Sequence, residues 1–293
     1  MRILITAIHY PVCSARYLTR AFERLGHDVR HVGPETGRQI WGMYLPECYA
    51  WQQTAIEVDW QPDLIIAVDS APEILDGVVP ALVRQYGAPC VIFGVDNHVR
   101  SYQRDYAQHY FLAHRNIGYI HEPFTHVPCA YDPEYFTTSP IPFEDRRYDV
   151  ACLGVIYPRR MQAIKALQET GFSVIWGTGL VYEAFAEAYQ NSRISLCLSH
   201  NGDVAQRVFE TAAMGNVVMT DDCADYPILK PNGFYLLDNT EPEHIVQAVK
   251  DVLHEPEHAQ AMITQSMAWV SGQTWDARAT EIVRWYERRT DGR

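Results

Sequence analysis

The sequence predicts an α/β protein made of two doubly wound parallel-sheet domains. Three observations carry that expectation. Short apolar runs alternate with stretches of helical period along most of the 293 residues. Two of the runs, residues 63–68 and 89–95, are almost continuously apolar, the pattern of parallel strands covered on both faces. The chain is also long enough for two cores of ordinary size.

Residues 2–7 read as the first strand, and residues 14–25 as a helix that Gly26 can stop. Tyr17, Leu18, Ala21, Phe22 and Leu25 fall on one side of that helix, and residues 28–32 read as the next strand. This is a βαβ unit, extended by the strands at 63–68 and 89–95 with a helix near 78–86 between them. Four prolines, at 128, 133, 140 and 142, precede the charged run 144–147, so residues 128–142 read as a linker. The alternation then restarts: strand 149–153, helix 159–170, strand 173–176, helix 181–190, strand 194–199, helix 203–214 stopped by Gly215, and strand 217–220. Residues 243–254 and 275–288 read as closing helices. The expected domains are 1–140 and 146–272 with a cleft between them, and a C-terminal helix at 274–290 packing back on the first.

Hydrophobic residues make up 47% and charged residues 20%, a balance that folds throughout. The formal charge of −12 repels nucleic acid and anionic membrane surfaces on average. Seven scattered cysteines without CxxC spacing point to buried thiols of a cytoplasmic protein, not to disulfides or a zinc site. The apolar run at residues 1–7 is too short for a signal peptide or a membrane span.

In open α/β sheets ligands bind beyond the carboxyl ends of the strands, which selects a short list of residues. The strongest local signal spans residues 199–215. A strand exit leads into a polar turn with Asn201, Gly202 and Asp203, then into a helix carrying Arg207 and Glu210. A helix N-terminus near Gly202 and Asp203 would offer unpaired N–H groups and a positive dipole end to a diphosphate, and Arg207 would add a guanidinium. Glu210 lies three residues on, on the same face, in mostly apolar surroundings where ribose hydroxyls would be suitable partners. The plain alternative is an Arg207–Glu210 ion pair on a solvated face. Trp176 and Gly177 follow another strand, where backbone and indole suit a nucleobase, although a core Trp and a glycine turn fit equally well.

The run Arg207-Val-Phe-Glu210-Thr-Ala-Ala-Met-Gly215 resembles the donor-site motif of family 4 glycosyltransferases, in the form found in CgeB-like spore-maturation glycosyltransferases. Tyr148-Asp-Val-Ala-Cys-Leu-Gly-Val-Ile-Tyr-Pro-Arg-Arg160 is similar to that family's entry into the donor domain, and Val127-Pro-Cys-Ala-Tyr-Asp-Pro133 to the segment before it. The resemblance covers the second half well and the first half weakly. It implies a GT-B fold: two facing Rossmann-like domains, acceptor mainly on the first, nucleotide sugar on the second. It also implies that Glu210 holds the donor ribose, that Arg159 or Arg160 and Arg207 meet the diphosphate, and that configuration is retained. The commoner pattern has a further Glu eight residues before the ribose acid, where this chain has Gly202 with Asp203 beside it.

In the first domain, residues 7–14 lack the GxGxxG of a dinucleotide site, which disfavours a nicotinamide enzyme. Asp96 and His98 stand at a strand exit, where an acid or an imidazole would suit acid–base work; a turn Asp and a surface His are the ordinary alternative. His109, His114, His121 and His126 have no metal-ligand spacing. The expectation is a metal-independent glycosyltransferase that takes a nucleotide sugar as donor substrate with no obligatory cofactor. Its acceptor would be a protein, a polysaccharide or, less favoured by the charge, a modified nucleobase in nucleic acid. A nucleotide-sugar epimerase of the same fold and a non-catalytic nucleotide-binding module are the rivals.

Overall fold

The computed structural model describes residues 1–8, 10, 12–33, 39–40, 43–44, 54–69 and 72–291. His9 and Pro11 of the first loop, and Cys48, lie outside the described residues. The chain divides into two compact units, Met1–Pro128 with Trp275–Arg293, and Cys129–Thr274.

The first unit opens with β1 (Arg2–Thr6), α1 (Ser14–Arg24) and β2 (Asp28–Val32). A short antiparallel pair, β3 (Gln39–Ile40) and β4 (Met43–Tyr44), precedes β5 (Leu64–Val68). A π-helical turn, Ile74–Val78, runs into α2 (Val79–Tyr86), which Gly87 ends in the left-handed conformation. Then come β6 (Cys90–Gly94), β7 (His109–Leu112) and β8 (Phe124–His126). The six-stranded sheet has the order β2-β1-β5-β6-β7-β8 and is parallel throughout. Every residue of β5 and β6 is buried, as two-face coverage of a central parallel strand requires.

The second unit contains β9 (Tyr148–Leu153), α3 (Pro158–Glu169), β10 (Val174–Gly177), α4 (Tyr182–Gln190) and β11 (Ser192–Leu196). It continues with α5 (Gln206–Ala213), β12 (Val217–Asp221), α6 (Tyr226–Leu229), β13 (Tyr235–Leu237), α7 (Pro242–His254) and α8 (Pro256–Val270). Its sheet is parallel in the order β10-β9-β11-β12-β13. The proline-rich stretch read as a linker is fastened to this unit: Ser139 Oγ donates to the Gln190 carbonyl at 2.8 Å and Ser139 N–H to the Met214 carbonyl at 3.0 Å. The final helix, α9 (Trp275–Asp291), belongs to the first unit, where Trp275 is fully buried, stacked on Tyr17 at 5.9 Å and against Phe93 at 6.0 Å.

The helix expected over 203–214 begins three residues later. Gly202 adopts φ +76°, a left-handed conformation that breaks the approach, and Ala205 is extended at ψ 146° as the N-cap. The free N–H groups of the first helical turn therefore start beyond Ala205, not at Gly202 and Asp203.

Candidate functional site

The carboxyl ends of β9, β11 and β12 are neighbours at one edge of the second sheet, and most of the residues singled out from the sequence arrive there. Helix α5 is held over that edge by its apolar face. Val208 and Phe209 are buried, and Phe209 stacks on Trp269 at 5.5 Å. That packing places Glu210 inside, at 6% exposure, where Gln206 Nε2 donates to its Oε1 at 2.6 Å. Burial pushes the carboxyl up to about 7; the Gln206 hydrogen bond and the Arg207 charge pull it down, and Asp132 adds to the rise.

Arg207 does not pair with Glu210. Its Nη1 donates to the Leu153 carbonyl at the end of β9, and Gly154 makes room for it: a Cβ there would stand 2.5 Å from Nη1. Gly154 also has φ +104°, so both space and backbone ask for glycine. Arg160 is buried, donating through Nε to the Leu198 carbonyl at 3.0 Å and through Nη1 to the Val155 carbonyl at 2.7 Å. Burial, and then the charge of Arg207, weaken its hold on the proton. Two guanidinium groups thus stand close together, bonded to carbonyls and, among the described residues, without a carboxylate in ion-pair contact.

Arg159 is arranged differently. Its Nη2 meets Asp221 Oδ2 at 2.7 Å and the Ser199 carbonyl, and 40% of its side chain is exposed. Asp221, at the end of β12, also accepts from the Ser199 N–H at 2.7 Å and the Ser199 hydroxyl at 3.1 Å, and that hydroxyl accepts from the Gly202 N–H at 3.2 Å. Asp221 therefore fixes the turn that carries Asn201, Gly202 and Asp203. Asn201 is exposed, its N–H donating to Asp203 Oδ1 at 3.2 Å. Trp176 and Gly177 are set apart on the edge strand β10; the indole is 42% exposed, and the Gly177 carbonyl accepts from the Gly154 N–H at 2.8 Å.

Two residues at this edge escaped the sequence reading. The rings of Tyr157 and His200 stack with centroids 3.6 Å apart and planes 2° apart, joining the loop after β9 to the loop after β11, and Arg160 lies over the Tyr157 ring at 5.3 Å. Their only sequence signal was position at a strand exit.

In the first unit Asp96 and His98 go separate ways. Asp96 Oδ2 accepts from Arg100 Nη2 at 2.6 Å, within a cluster that includes Asp69 and Tyr102. The His98 ring packs edge-on against His114, 4.8 Å between centroids. Of the other histidines, His109 Nε2 is 2.8 Å from Thr125 Oγ1, and burial lowers its pKa to about 4. Among the described residues no group of three or more His, Cys, Asp or Glu is placed to hold a metal ion, and no helix is long and apolar enough to cross a membrane. Among the described residues six cysteines are buried thiols outside any disulfide.

Residues 142–284 match the family model described as glycosyl transferase-like. No curated protein matches the chain in sequence. Solved structures match it over nearly its whole length. HepE of Anabaena, solved with UDP and glucose, is 11% identical with a TM-score of 0.70, covering 98% of this chain and 100% of its own. Sucrose-phosphate synthase of Thermosynechococcus elongatus is 13% identical with a TM-score of 0.64, covering 100% of both chains. An α-glucosyltransferase solved with UDP-glucose and DNA containing an abasic site is 12% identical with a TM-score of 0.62, covering 94% and 95%.

The fold is GT-B. Within this GT-B chain the family match takes in Arg159, Arg160, Arg207, Glu210 and Asp221, together with the stacked Tyr157 and His200. Asp69, Asp96 and His98 fall outside it. At these identities the solved GT-B structures speak for the fold, and the chemistry has to be argued from the side chains just described.

Proposed function

We propose that the chain is a glycosyltransferase that moves a sugar from a nucleoside diphosphate donor to an acceptor hydroxyl, the donor bound by the second unit. One observation carries this reading: Arg207 and Arg160 lie within electrostatic reach of each other at the carboxyl edge of the sheet, among the described residues without a carboxylate in ion-pair contact, next to the buried acid Glu210. A diphosphate would relieve the repulsion between the guanidiniums, and ribose hydroxyls would satisfy the acid. Arg159 and Asn201, exposed to differing degrees on the same edge, are the further diphosphate contacts, and Trp176 with Gly177 the nucleobase contact. HepE and the α-glucosyltransferase, with their UDP and UDP-glucose, favour uridine as the base.

Negative charge develops on the departing diphosphate, and fixed arginines and the first turn of α5 stabilise it there, so this mechanism requires no metal. A hexosyl donor, retention of configuration, and the family 4 CgeB-like form of the motif are the finer parts of the proposal, along with a cytoplasmic location. Asp96 and His98 are its acceptor-side residues. The charge of −12 favours a protein or polysaccharide acceptor over DNA.

Calorimetry of the purified chain against uridine, guanosine, adenosine and cytidine diphosphates and their sugar conjugates tests the donor site. Binding by one base is expected, with Glu210→Ala and Arg207→Ala each weakening it by about 1.5–3 kcal/mol while the fold persists. Affinity unchanged from wild type in both variants would refute the site. Transfer to an acceptor separates the reading from an epimerase, and turnover of any kind separates it from a binding module.

A further inference from the structure

We propose that a cavity at the amino edge of the second sheet, with the Arg146 guanidinium in its wall, binds a small organic carboxylate. Arg146 stands just before β9, and its carbonyl partners Ser192 and Gly215 stand at the start of β11 and just before β12. Those three strands are parallel neighbours. The site is therefore at the edge opposite Arg207 and Glu210, and it shares no residue with the donor site.

Arg146 is only 5% exposed, yet its hydrogen bonds use part of the guanidinium and not all of it. Nε donates to the Ile141 carbonyl at 3.2 Å, and Nη1 to the Ser192 and Gly215 carbonyls at 3.1 and 2.7 Å. These bonds account for the N–H groups of Nε and Nη1, so both on Nη2 remain. Nη2 has no hydrogen-bond partner among the described residues, and it is not sealed from solvent. The backbone at Gly215 locates it: a Cβ there would stand 3.6 Å from Nη2, 3.5 Å from Met267 Sδ and 3.7 Å from Ile263 Cγ2. Nη2 thus stands among the side chains that, with Ile141, Phe143 and Gln260, line a cavity of about 240 Å³.

The carbonyl bonds give Arg146 a structural role, tying residues 141–146 to the starts of β11 and β12, but they leave its charge unanswered. Among the described residues no carboxylate pairs with it, and the charge that acts on it is another cation, Arg193, itself paired with Asp149 at 2.6 Å. Burial first, then Arg193, pull the guanidinium down to about 10, so it is still a cation at neutral pH in surroundings that disfavour one. An oxyanion in the cavity would accept from Nη2 and supply the missing charge. The other walls select among oxyanions. Ile141, Phe143, Ile263 and Met267 are apolar, the usual lining of a small-molecule site that keeps few polar groups for orientation. A compact monocarboxylate meets both demands, its head on Nη2 and its hydrocarbon body on those four side chains. Inorganic phosphate would answer the charge and leave the apolar walls uncovered.

Amide shift mapping by NMR on the full chain tests the site, with acetate, butyrate, benzoate and inorganic phosphate titrated separately at constant ionic strength. Butyrate or benzoate is expected to shift the amides of residues 143–146, 215 and 260–267 saturably, to bind more tightly than acetate or phosphate, and to leave residues 199–210 unmoved. Met267→Glu sets a carboxylate of the chain's own beside Nη2 and is expected to weaken the tighter ligand about tenfold or more, by taking the same hydrogen bonds. The proposal is overturned by an absence of shifts at those residues, by phosphate binding as tightly as butyrate and benzoate, or by wild-type affinity in Met267→Glu. If thermal melting shows that Met267→Glu does not fold, Ile263→Phe, which fills the cavity with apolar bulk, decides: weakened binding supports the site and unchanged binding overturns it.

Discussion

Glu210 is a carboxyl group carried into an apolar interior by the helix it sits on, with Gln206 as its hydrogen-bond donor. Burial raises its pKa to about 7 from the ordinary glutamate value, so the folded state binds its proton more tightly than the unfolded chain does. Wild-type stability from this group is therefore fully present below the unfolded pKa and is lost as pH rises through about 7. Glu210→Gln keeps the size and removes the titration. The variant is expected to match wild type near pH 4 and to exceed it above pH 7, by on the order of 3 kcal/mol at most, in urea unfolding followed across that range. A constant difference at every pH would mean that Glu210 titrates as an ordinary surface acid. A ribose that donates to the carboxylate favours the charged form, so nucleotide binding near pH 6–7 should release a proton, visible in calorimetry as a dependence on buffer ionisation enthalpy.

At the scale of elements, the site is a set of strand-exit loops tied together by buried guanidiniums. Arg160, on α3, bonds the Leu198 carbonyl after β11 and the Val155 carbonyl after β9. Arg160→Ala leaves both carbonyls without that donor, at a cost of about 1–3 kcal/mol for each one that water cannot reach. Amide exchange should quicken at residues 154–157 and 198–203, with β12 keeping its protection; uniform quickening across the sheet would show Arg160 to be a general core residue. The strand exits were legible in the sequence because β9, β11 and β12 carry short apolar runs that close at Gly154, Ser199 and Thr220. The tie was not, since nothing in Tyr157-Pro-Arg-Arg160 says that one arginine turns inward to carbonyls while its neighbour pairs with Asp221. The start of α5 was misplaced for a similar reason: Asp203 looks like a cap, but Gly202 is left-handed and the cap is Ala205.

For the whole molecule, the doubly wound plan could be read from alternation alone, while β7, β8 and β13 could not: at four, three and three residues they are too short to show a period. The return of α9 to the first unit has a packing cause. Trp275 is fully buried between Tyr17 and Phe93, Arg24 pairs with Asp276 at 2.7 Å, and Arg278 Nε donates to the Pro128 carbonyl at 2.8 Å. The last helix thus completes a core begun by α1 and β6, and Trp275 is its largest plug. Trp275→Ala should cost about 3–5 kcal/mol, the usual penalty for emptying a site of that size. The loss belongs to one unit: amide exchange is expected to accelerate in β1, β5 and β6 while β9, β11 and β12 keep wild-type rates, and UDP affinity measured below the melting transition should not change. Equal acceleration in both sheets would show instead that the two units unfold as one, and α9 would then be a clasp on the entire chain instead of part of the first core.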